Sequence, residues 1–179
     1  MSFEKRKKMY PLAKQYGVII LEDNPYGDLR VSGTHVPAIK SFDEDGIVIY
    51  AGSFSKVICN TLMTDYDYDG HLEKLRTIYR KRTELMIHLI EEHLVPHGIT
   101  YHKAEGGLFI WCTLPENINM LDFCKKSAEK KVCVVPGNAF LVDESAPCQS
   151  FRINFSTPTE EQIQKGIAIL GETVKQMSN

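Results

Sequence analysis

The sequence predicts an α/β fold in two parts: a parallel-strand fragment at residues 1–69 and an α+β domain at residues 70–179. Two apolar, β-branched runs, Val18–Leu21 and Ile47–Tyr50, have the composition of parallel strands that are buried on both faces. Further along the chain, helical and strand patterns alternate. At 179 residues the chain is long enough to bury a substantial hydrophobic core.

A helix is predicted before the first strand. Its apolar residues recur at helical spacing: Met9, Leu12, Ala13 and Tyr16. The basic run Lys5–Lys8 is expected to form the solvated face of that helix. Residues 3–53 therefore read as helix, strand, loop and strand. Because two parallel strands alone leave unpaired edges and uncovered faces, we expect this to be the least stable part of the chain.

A long helix is predicted from about residue 70 and is ended by Pro96 and Gly98. Its apolar positions are Leu72, Leu75, Tyr79, Met86, Leu89 and Ile90. The alternating segment Gly107–Leu114 is predicted as a strand. This change of pattern after the first two strands indicates a separate α+β unit.

Asn119 is predicted to cap a helix that extends to Lys130, and Val132–Val135 is predicted as the next strand. The inward residues of that helix are expected to be Leu121, Cys124 and Ala128. A capping box is predicted for the final helix, with Thr157, Pro158 and Glu160 as N-cap, first helical residue and box acid. Its apolar stripe is Ile163, Ile167, Leu170 and Val174. Residues 70–179 thus read as a self-sufficient α/β sandwich.

Two polar segments, Glu22–Tyr26 and Gly52–Lys56, directly follow the first two predicted strands. In open α/β sheets, ligands bind beyond the carboxyl ends of the strands. A lysine in a partly dry cleft can lose its proton and form an imine with an aldehyde cofactor. Pyridoxal phosphate also needs a carboxylate beside its ring nitrogen, and Asp23 is placed to supply it. These two segments are therefore candidates for one cofactor site.

Other side chains of the two segments suit the same cofactor. Tyr26 would donate a hydrogen bond to the phenolic oxygen of the ring, and the hydroxyls of Ser53 and Ser55 would hold the phosphate together with backbone amides. Taken singly, each residue also has a simpler explanation. Asp23 suits a turn, Tyr26 suits a half-buried aromatic, and Lys56 suits a solvated position at the start of a helix.

Arg152 interrupts the otherwise apolar, alternating strand Phe151–Phe155. Arginine is rarely buried without a partner, and its planar fork matches a carboxylate with two hydrogen bonds. A structural ion pair and a substrate carboxylate would each satisfy it. The sequence leaves both possibilities open.

Five segments, taken in this order, carry a family resemblance. They are Val18–Tyr26, Gly52–Lys56, Glu105–Trp111, Val134–Gly137 with Phe140, and Arg152–Ser156. The chain resembles the fold-type I, pyridoxal-phosphate-dependent aminotransferases of class I/II, especially the branch with aromatic and aminoadipate aminotransferases. The resemblance implies a fragment of the large cofactor-binding domain followed by the C-terminal small domain.

The resemblance also implies roles and partners. The implied roles are Lys56 as Schiff-base lysine and proton shuttle, Asp23 on the pyridine nitrogen, Tyr26 on the phenolic oxygen, Ser53 and Ser55 on the phosphate, and Arg152 on the substrate carboxylate. The implied cofactor is pyridoxal 5'-phosphate, and the substrates are an α-amino acid and a 2-oxo acid. A homodimer is implied for the intact enzyme.

The chain departs from the family in three respects. The family has an arginine for the cofactor phosphate seven or eight residues after the lysine, where this chain has Met63 and Thr64. Only Val57–Asp69 separate Lys56 from the next helix, which indicates an internal deletion. The N-terminal half of the family pattern also has no counterpart here. A non-catalytic remnant, or a ligand-binding module like the effector domain of some transcription regulators, is therefore the alternative to an enzyme.

Composition and spacing argue against several other classes. A net charge of −2 argues against a surface dedicated to nucleic-acid binding. Five cysteines without a Cys-x-x-Cys pair, and without a secretory signal, suit reduced thiols in the cytoplasm. The longest apolar run, Leu108–Cys112, is too short for a membrane span.

No metal site is expected. Asp65–Gly70 matches the first half of a calcium loop, but Arg76 occupies the twelfth position, where a glutamate should supply two ligand oxygens. His93 and His97 have helical metal spacing, but Pro96 lies between them. A polar turn before a helix accounts better for the acidic run.

Overall fold

A computed structural model of the chain describes residues 1–52 and 67–178. The chain divides into two compact units, Met1–Arg76 and Thr77–Asn179. The helices are α1 (Phe3–Tyr16), α2 (Tyr68–His93), α3 (Met120–Glu129) and α4 (Glu160–Ser178). The strands are β1 (Ile20–Asp23), β2 (Val48–Ala51), β3 (Thr100–His102), β4 (Phe109–Thr113), β5 (Val135–Pro136) and β6 (Ser150–Asn154).

The predicted helix before the first strand is confirmed as α1. The hydroxyl of Ser2 accepts a hydrogen bond from the backbone of Lys5, and Gly17 ends the helix in the left-handed conformation, φ 63°. No residue of α1 is buried. The expectation of a purely solvated basic face is wrong at Arg6, because its side chain is 17% exposed and pairs with Glu22 at 3.0 Å.

The first two strands pair in parallel, as predicted, with Ile20 opposite Val48 and Asp23 opposite Ala51. The expectation that both faces are buried is wrong for the described residues. Leu21 is 69% exposed and Ile49 is 56% exposed. These two residues are opposite one another, so one face of the strand pair lacks a covering element in residues 1–52 and 67–76.

The second unit is built on an antiparallel sheet in the order β3-β4-β6-β5. Strand β3 is not predicted by the sequence pattern, and the segment predicted as strand at 132–135 pairs only from Val135. One face of the sheet enters the hydrophobic core, and side chains alternate along each strand, so the opposite face is outside this core. The fully enclosed members of the core are Ile90, Leu94, Ile99, Ile110, Cys112, Ile118, Phe123, Phe151, Phe155, Leu170 and Val174.

The predicted cap of α3 is confirmed, since Asn119 Oδ1 accepts a hydrogen bond from the backbone of Asp122 at 3.0 Å. The predicted inward stripe is confirmed at Cys124, which packs against the core, and is wrong at its other two positions. The buried residues of the helix are Met120, Phe123 and Ser127, whereas Leu121 and Ala128 are exposed. The ring of Phe123 packs on Phe151 with centroids 5.0 Å apart, and this contact decides which face turns inward.

The final helix is confirmed, but its capping box lies two residues after the predicted one. Thr159 Oγ1 accepts a hydrogen bond from the backbone of Gln162, and Gln162 Oε1 accepts one from the backbone of Thr159. Thr157 instead lies in a turn, where its backbone donates to Asn154 Oδ1 at 3.3 Å. The predicted apolar stripe of this helix is buried as expected.

The acidic run before α2 forms the expected polar turn where it is described. Asp67 Oδ1 accepts a hydrogen bond from the backbone of Gly70 at 3.0 Å, at the start of the helix. No helix in the described parts of the chain is long and apolar enough to cross a membrane.

Candidate functional site

The carboxyl ends of β1 and β2 lie side by side. Asp23, the last residue of β1, is opposite Ala51, the last residue of β2, and the backbone of Asn24 donates to the carbonyl of Ala51 at 2.8 Å. Gly52 follows immediately and begins the segment that leads to Lys56. Ser53, Ser55 and Lys56, the predicted phosphate ligands and lysine, lie outside the described residues.

Two adjacent carboxylates at this edge have different environments. Glu22 is 9% exposed, and it accepts hydrogen bonds from Arg6 Nη1 and from the backbone of Lys40, each at 3.0 Å. Asp23 points to the opposite face of the strand and is exposed. Glu22 is therefore occupied in holding the fold, whereas Asp23 is available to a ligand at the strand end.

A tight turn follows Asp23. Asn24 donates from Nδ2 to the hydroxyl of Tyr50 at 3.0 Å, and the backbone of Leu29 donates to the carbonyl of Tyr26 at 3.0 Å. A Cβ at Gly27 would lie 2.2 Å from Asn24 Nδ2, so only glycine fits there without a shift. Tyr26 is half-buried in this turn. The structure thus places Tyr26 three residues beyond Asp23, in the same loop.

The start of β2 is fixed by Asp43. Its carboxylate accepts hydrogen bonds from the backbones of Ile47 and Val48, each at 3.0 Å, and from Lys40 Nζ at 2.7 Å. The Lys40 ammonium, followed by the two backbone amides, lowers the pKa of Asp43 to about 2. This carboxylate, which the sequence pattern does not single out, anchors the strand that leads to Gly52.

Arg152 lies on the sheet face opposite the core of the second unit. In β6 it is flanked by Trp111 of β4 and Val135 of β5. Its guanidinium carbon lies 4.0 Å from the ring centre of Phe109 and 4.6 Å from that of Phe140. Among residues 1–52 and 67–178 no carboxylate pairs with it, and its Nε is buried without a hydrogen-bond acceptor.

The aromatic neighbours of Arg152 support one another. Trp111 and Phe140 meet edge to face with ring centroids 5.4 Å apart. Phe140 ends the 3₁₀ turn Gly137–Phe140, and a Cβ at Gly137 would lie 2.5 Å from the carbonyl oxygen of Ser150. The sequence prediction does not assign these rings to Arg152. The alternating pattern of β4 could have indicated these neighbours, because it places Phe109 and Trp111 on the same face of the strand.

The donor set at the ends of β1 and β2 fits pyridoxal phosphate. An exposed carboxylate suits a protonated ring nitrogen, and a phenol in the next turn suits the ring oxygen. Two serines and a lysine follow directly on β2. The first unit thus carries part of the set of residue types that this cofactor requires, without the phosphate arginine of the family.

Comparison with known proteins gives consistent matches. The family described as aminotransferase class I and II matches residues 57–170. The chain is 35% identical to aromatic-amino-acid aminotransferase 1 of Thermococcus litoralis, over 98% of this chain and 51% of the relative. It is 32% identical to the solved multiple substrate aminotransferase of Thermococcus profundus, with a TM-score of 0.88 over 99% of this chain and 53% of that one.

A further solved structure is that of a kynurenine aminotransferase from Pyrococcus horikoshii in complex with PMP. The chain is 31% identical to it, with a TM-score of 0.88, over 98% of this chain and 52% of that one. The chain spans about half the length of the curated relatives it matches. The alignment with the Thermococcus litoralis relative extends over 213 residues, more than the 179 of this chain, so the relative contains residues that this chain lacks within the aligned region.

Proposed function

Because the chain belongs to the class I and II aminotransferases, we propose that it provides half of a site that transfers an amino group between an α-amino acid and a 2-oxo acid. The proposed substrates are aromatic, branched or aminoadipate-like amino acids. The names of the relatives suggest the aromatic and the aminoadipate classes. The observation that carries the proposal is the register of β1 and β2. It sets Asp23 beside the strand end that runs into Gly52–Lys56.

Four residues would hold the cofactor without a covalent bond. Pyridoxal phosphate, when bound, supplies an electron sink for the bonds at the substrate Cα. Asp23 would hold a proton on the pyridine nitrogen, and Tyr26 would donate a hydrogen bond to the phenolic oxygen. Ser53 and Ser55 would bind the phosphate.

Lys56 would hold the cofactor covalently. Its amine would be freed when the substrate amine takes its place, and it would then carry the proton between the substrate Cα and the C4′ carbon. This requires its neutral amine, which a partly dry cleft favours. Arg152 would bind the substrate carboxylate through its planar fork. The surroundings of Arg152 suit this role, because no carboxylate among the described residues pairs with its guanidinium.

The organisation of the complete protein is part of the same proposal. Residues 1–69 would be a fragment of the cofactor-binding domain, and residues 70–179 would be the small domain. A homodimer in the cytoplasm is proposed, since family sites form at a dimer interface. The described cysteines, Cys112, Cys124, Cys133 and Cys148, are free thiols, which is compatible with a reducing compartment.

The first test is cofactor attachment. Purified chain is mixed with pyridoxal phosphate, reduced with borohydride and digested, and the labelled peptide is identified by mass spectrometry. We expect one label, on Lys56, which Lys56→Ala abolishes. Lys74→Ala, which removes an exposed lysine of α2, is the matched control and should leave the label in place.

Amino transfer is tested next, with glutamate as donor and an aromatic 2-oxo acid as acceptor. Turnover that Lys56→Ala abolishes would support the enzyme. Labels scattered over surface lysines, with no turnover, would contradict it. That result would favour the alternative of a non-catalytic remnant or a ligand-binding module.

A further inference from the structure

We propose that Phe109 and Phe140 are positioning residues that hold the guanidinium of Arg152 in a fixed orientation, so that a carboxylate binds at its edge and not on its face. The inference rests on the proposed function for the carboxylate role of Arg152. The positioning itself depends only on contacts within the second unit.

Two aromatic rings lie against Arg152. Its guanidinium carbon lies 4.0 Å from the Phe109 centroid and 4.6 Å from the Phe140 centroid, well inside the range of cation–π attraction. Rings that cover a planar cation leave its edge for other partners. A carboxylate must then approach in the plane of the guanidinium, which is the geometry of a two-bond fork.

The Nε atom of Arg152 is buried and has no acceptor among the described residues. An incoming carboxylate therefore meets the two terminal amino groups of Arg152. The attraction between an anion and a partly buried cation is less screened than that with a fully solvated one.

Both rings are held in place by their own surroundings. Phe109 is carried by β4, next to β6 in the sheet. Phe140 ends a turn whose Gly137 fits against the backbone of Ser150, and Trp111 packs on its ring at 5.4 Å. The strand position of Phe109, and the packing of Gly137 and Trp111 around Phe140, thus place both rings beside Arg152.

A role in the hydrophobic core does not explain Phe140. The ring is 48% exposed, and it belongs neither to the core cluster of the second unit nor to the hydrophobic residues packed against it. An exposed aromatic ring kept 4.6 Å from a cation is better explained by the cation.

The test uses nuclear magnetic resonance of the ¹⁵N-labelled 179-residue chain. The Nε–Hε signal of Arg152 is assigned by its loss in Arg152→Gln. Its heteronuclear NOE reports how rigidly the side chain is held, and titration with 3-phenylpropanoate reports carboxylate affinity. We expect a high NOE in the unaltered chain, and a probe Kd that depends on Arg152.

Phe140→Leu keeps most of the side-chain volume and removes the π face. It should lower the Arg152 NOE and raise the probe Kd about threefold, the effect of losing a partly exposed cation–π contact. Phe140→Tyr keeps an aromatic ring and should retain the NOE and the probe Kd of the unaltered chain. Leu141→Ala, in the adjacent position, is the control for disturbance of the loop and should change neither. Phe109→Leu tests the second ring independently.

An unchanged NOE and an unchanged Kd in both Phe140→Leu and Phe109→Leu would overturn the positioning proposal. The NOE decides this without any bound carboxylate. Equal probe binding by Arg152→Gln and the unaltered chain would instead contradict the carboxylate role under the proposed function. The two failures are therefore distinguishable.

Discussion

Asp43 shows how one short side chain fixes the start of β2, the strand that leads to the candidate site. Its two carboxylate oxygens accept backbone hydrogen bonds from Val48, the first residue of β2, and from Ile47 just before it, and Lys40 adds a charged donor. Such a carboxylate is stabilised in its ionised form, and its pKa falls from 3.8 to about 2. The fold is therefore linked to proton binding at this residue.

The expected pH dependence has a definite sign. Because the folded-state pKa is depressed, Asp43 stabilises the fold above about pH 4, and this contribution is lost as the pH falls from 4 towards 2. We expect Asp43→Asn to lower the thermal midpoint at pH 6 and to flatten its change between about pH 4 and 2. Circular dichroism melts at several pH values measure this.

Glu116→Gln is the control for the preceding experiment, because Glu116 is an exposed carboxylate in the second unit. It should retain the pH profile of the unaltered chain. An Asp43→Asn profile that is parallel to that of the unaltered chain between about pH 4 and 2 would contradict the assignment.

At the scale of a single element, α4 illustrates how packing overrides helix propensity. The helix contains two glycines, Gly166 and Gly171, and glycine is less favourable in a helix than alanine. A Cβ at Gly166 would have its nearest neighbour, Val132, at 4.0 Å. A Cβ at Gly171 would lie 2.6 Å from the carbonyl oxygen of His93.

These environments predict opposite results for the same substitution. Gly166→Ala should stabilise the chain by about 1 kcal/mol, since the new methyl group meets no clash. Gly171→Ala should destabilise it by about 1–3 kcal/mol, because the backbone at His93 must shift. Urea unfolding followed by circular dichroism measures both. Stabilisation by Gly171→Ala would show that α4 can move away without cost.

On the scale of the whole molecule, burial is distributed unequally. The main hydrophobic cluster belongs entirely to the second unit, from Met86 to Val174. In the first unit the two strands form a parallel pair with an exposed face at Leu21 and Ile49. Isolated two-stranded pairings contribute little stability by themselves.

Amide hydrogen exchange should reveal this difference. We expect the amides of β4 and β6 to exchange at least about 100-fold more slowly than those of β1 and β2, because local opening is easier where few apolar contacts are lost. Mass spectrometry of exchanged peptides provides the measurement. Equal protection in the two sheets would mean that the first unit unfolds only together with the second.

Much of the fold follows from local sequence pattern. The two parallel strands, the long helix α2, the Asn119 cap and the stripe of α4 are all predictable, because each depends on residues within a few turns of one another. The order of the five motifs is also sufficient to indicate the family. The assignments of Asp23, Tyr26, Ser53, Ser55, Lys56 and Arg152 remain predictions. The proposed experiments test those of Lys56 and Arg152.

Other features depend on contacts that the sequence pattern does not show. The turn before α4 is closed locally, since Asn154 Oδ1 accepts a hydrogen bond from the backbone of Thr157, and the cap of the helix lies at Thr159. The inward face of α3 is set by the contact between Phe123 and Phe151 of a strand far along the chain. Local pattern does not decide the register of α3, since the energies involved arise from partners elsewhere in the chain.

Residue order is enough to specify the element types, the succession of motifs and the presence of an arginine in an apolar strand. The surroundings of that arginine depend on the folded chain: aromatic rings from β4 and from the turn after β5, with no carboxylate among the described residues. The two neighbouring carboxylates also differ only in the folded chain, where Glu22 is paired with Arg6 and Asp23 is exposed. The reason is physical, because backbone preferences act locally, whereas burial and electrostatic pairing depend on which segments meet in the folded chain.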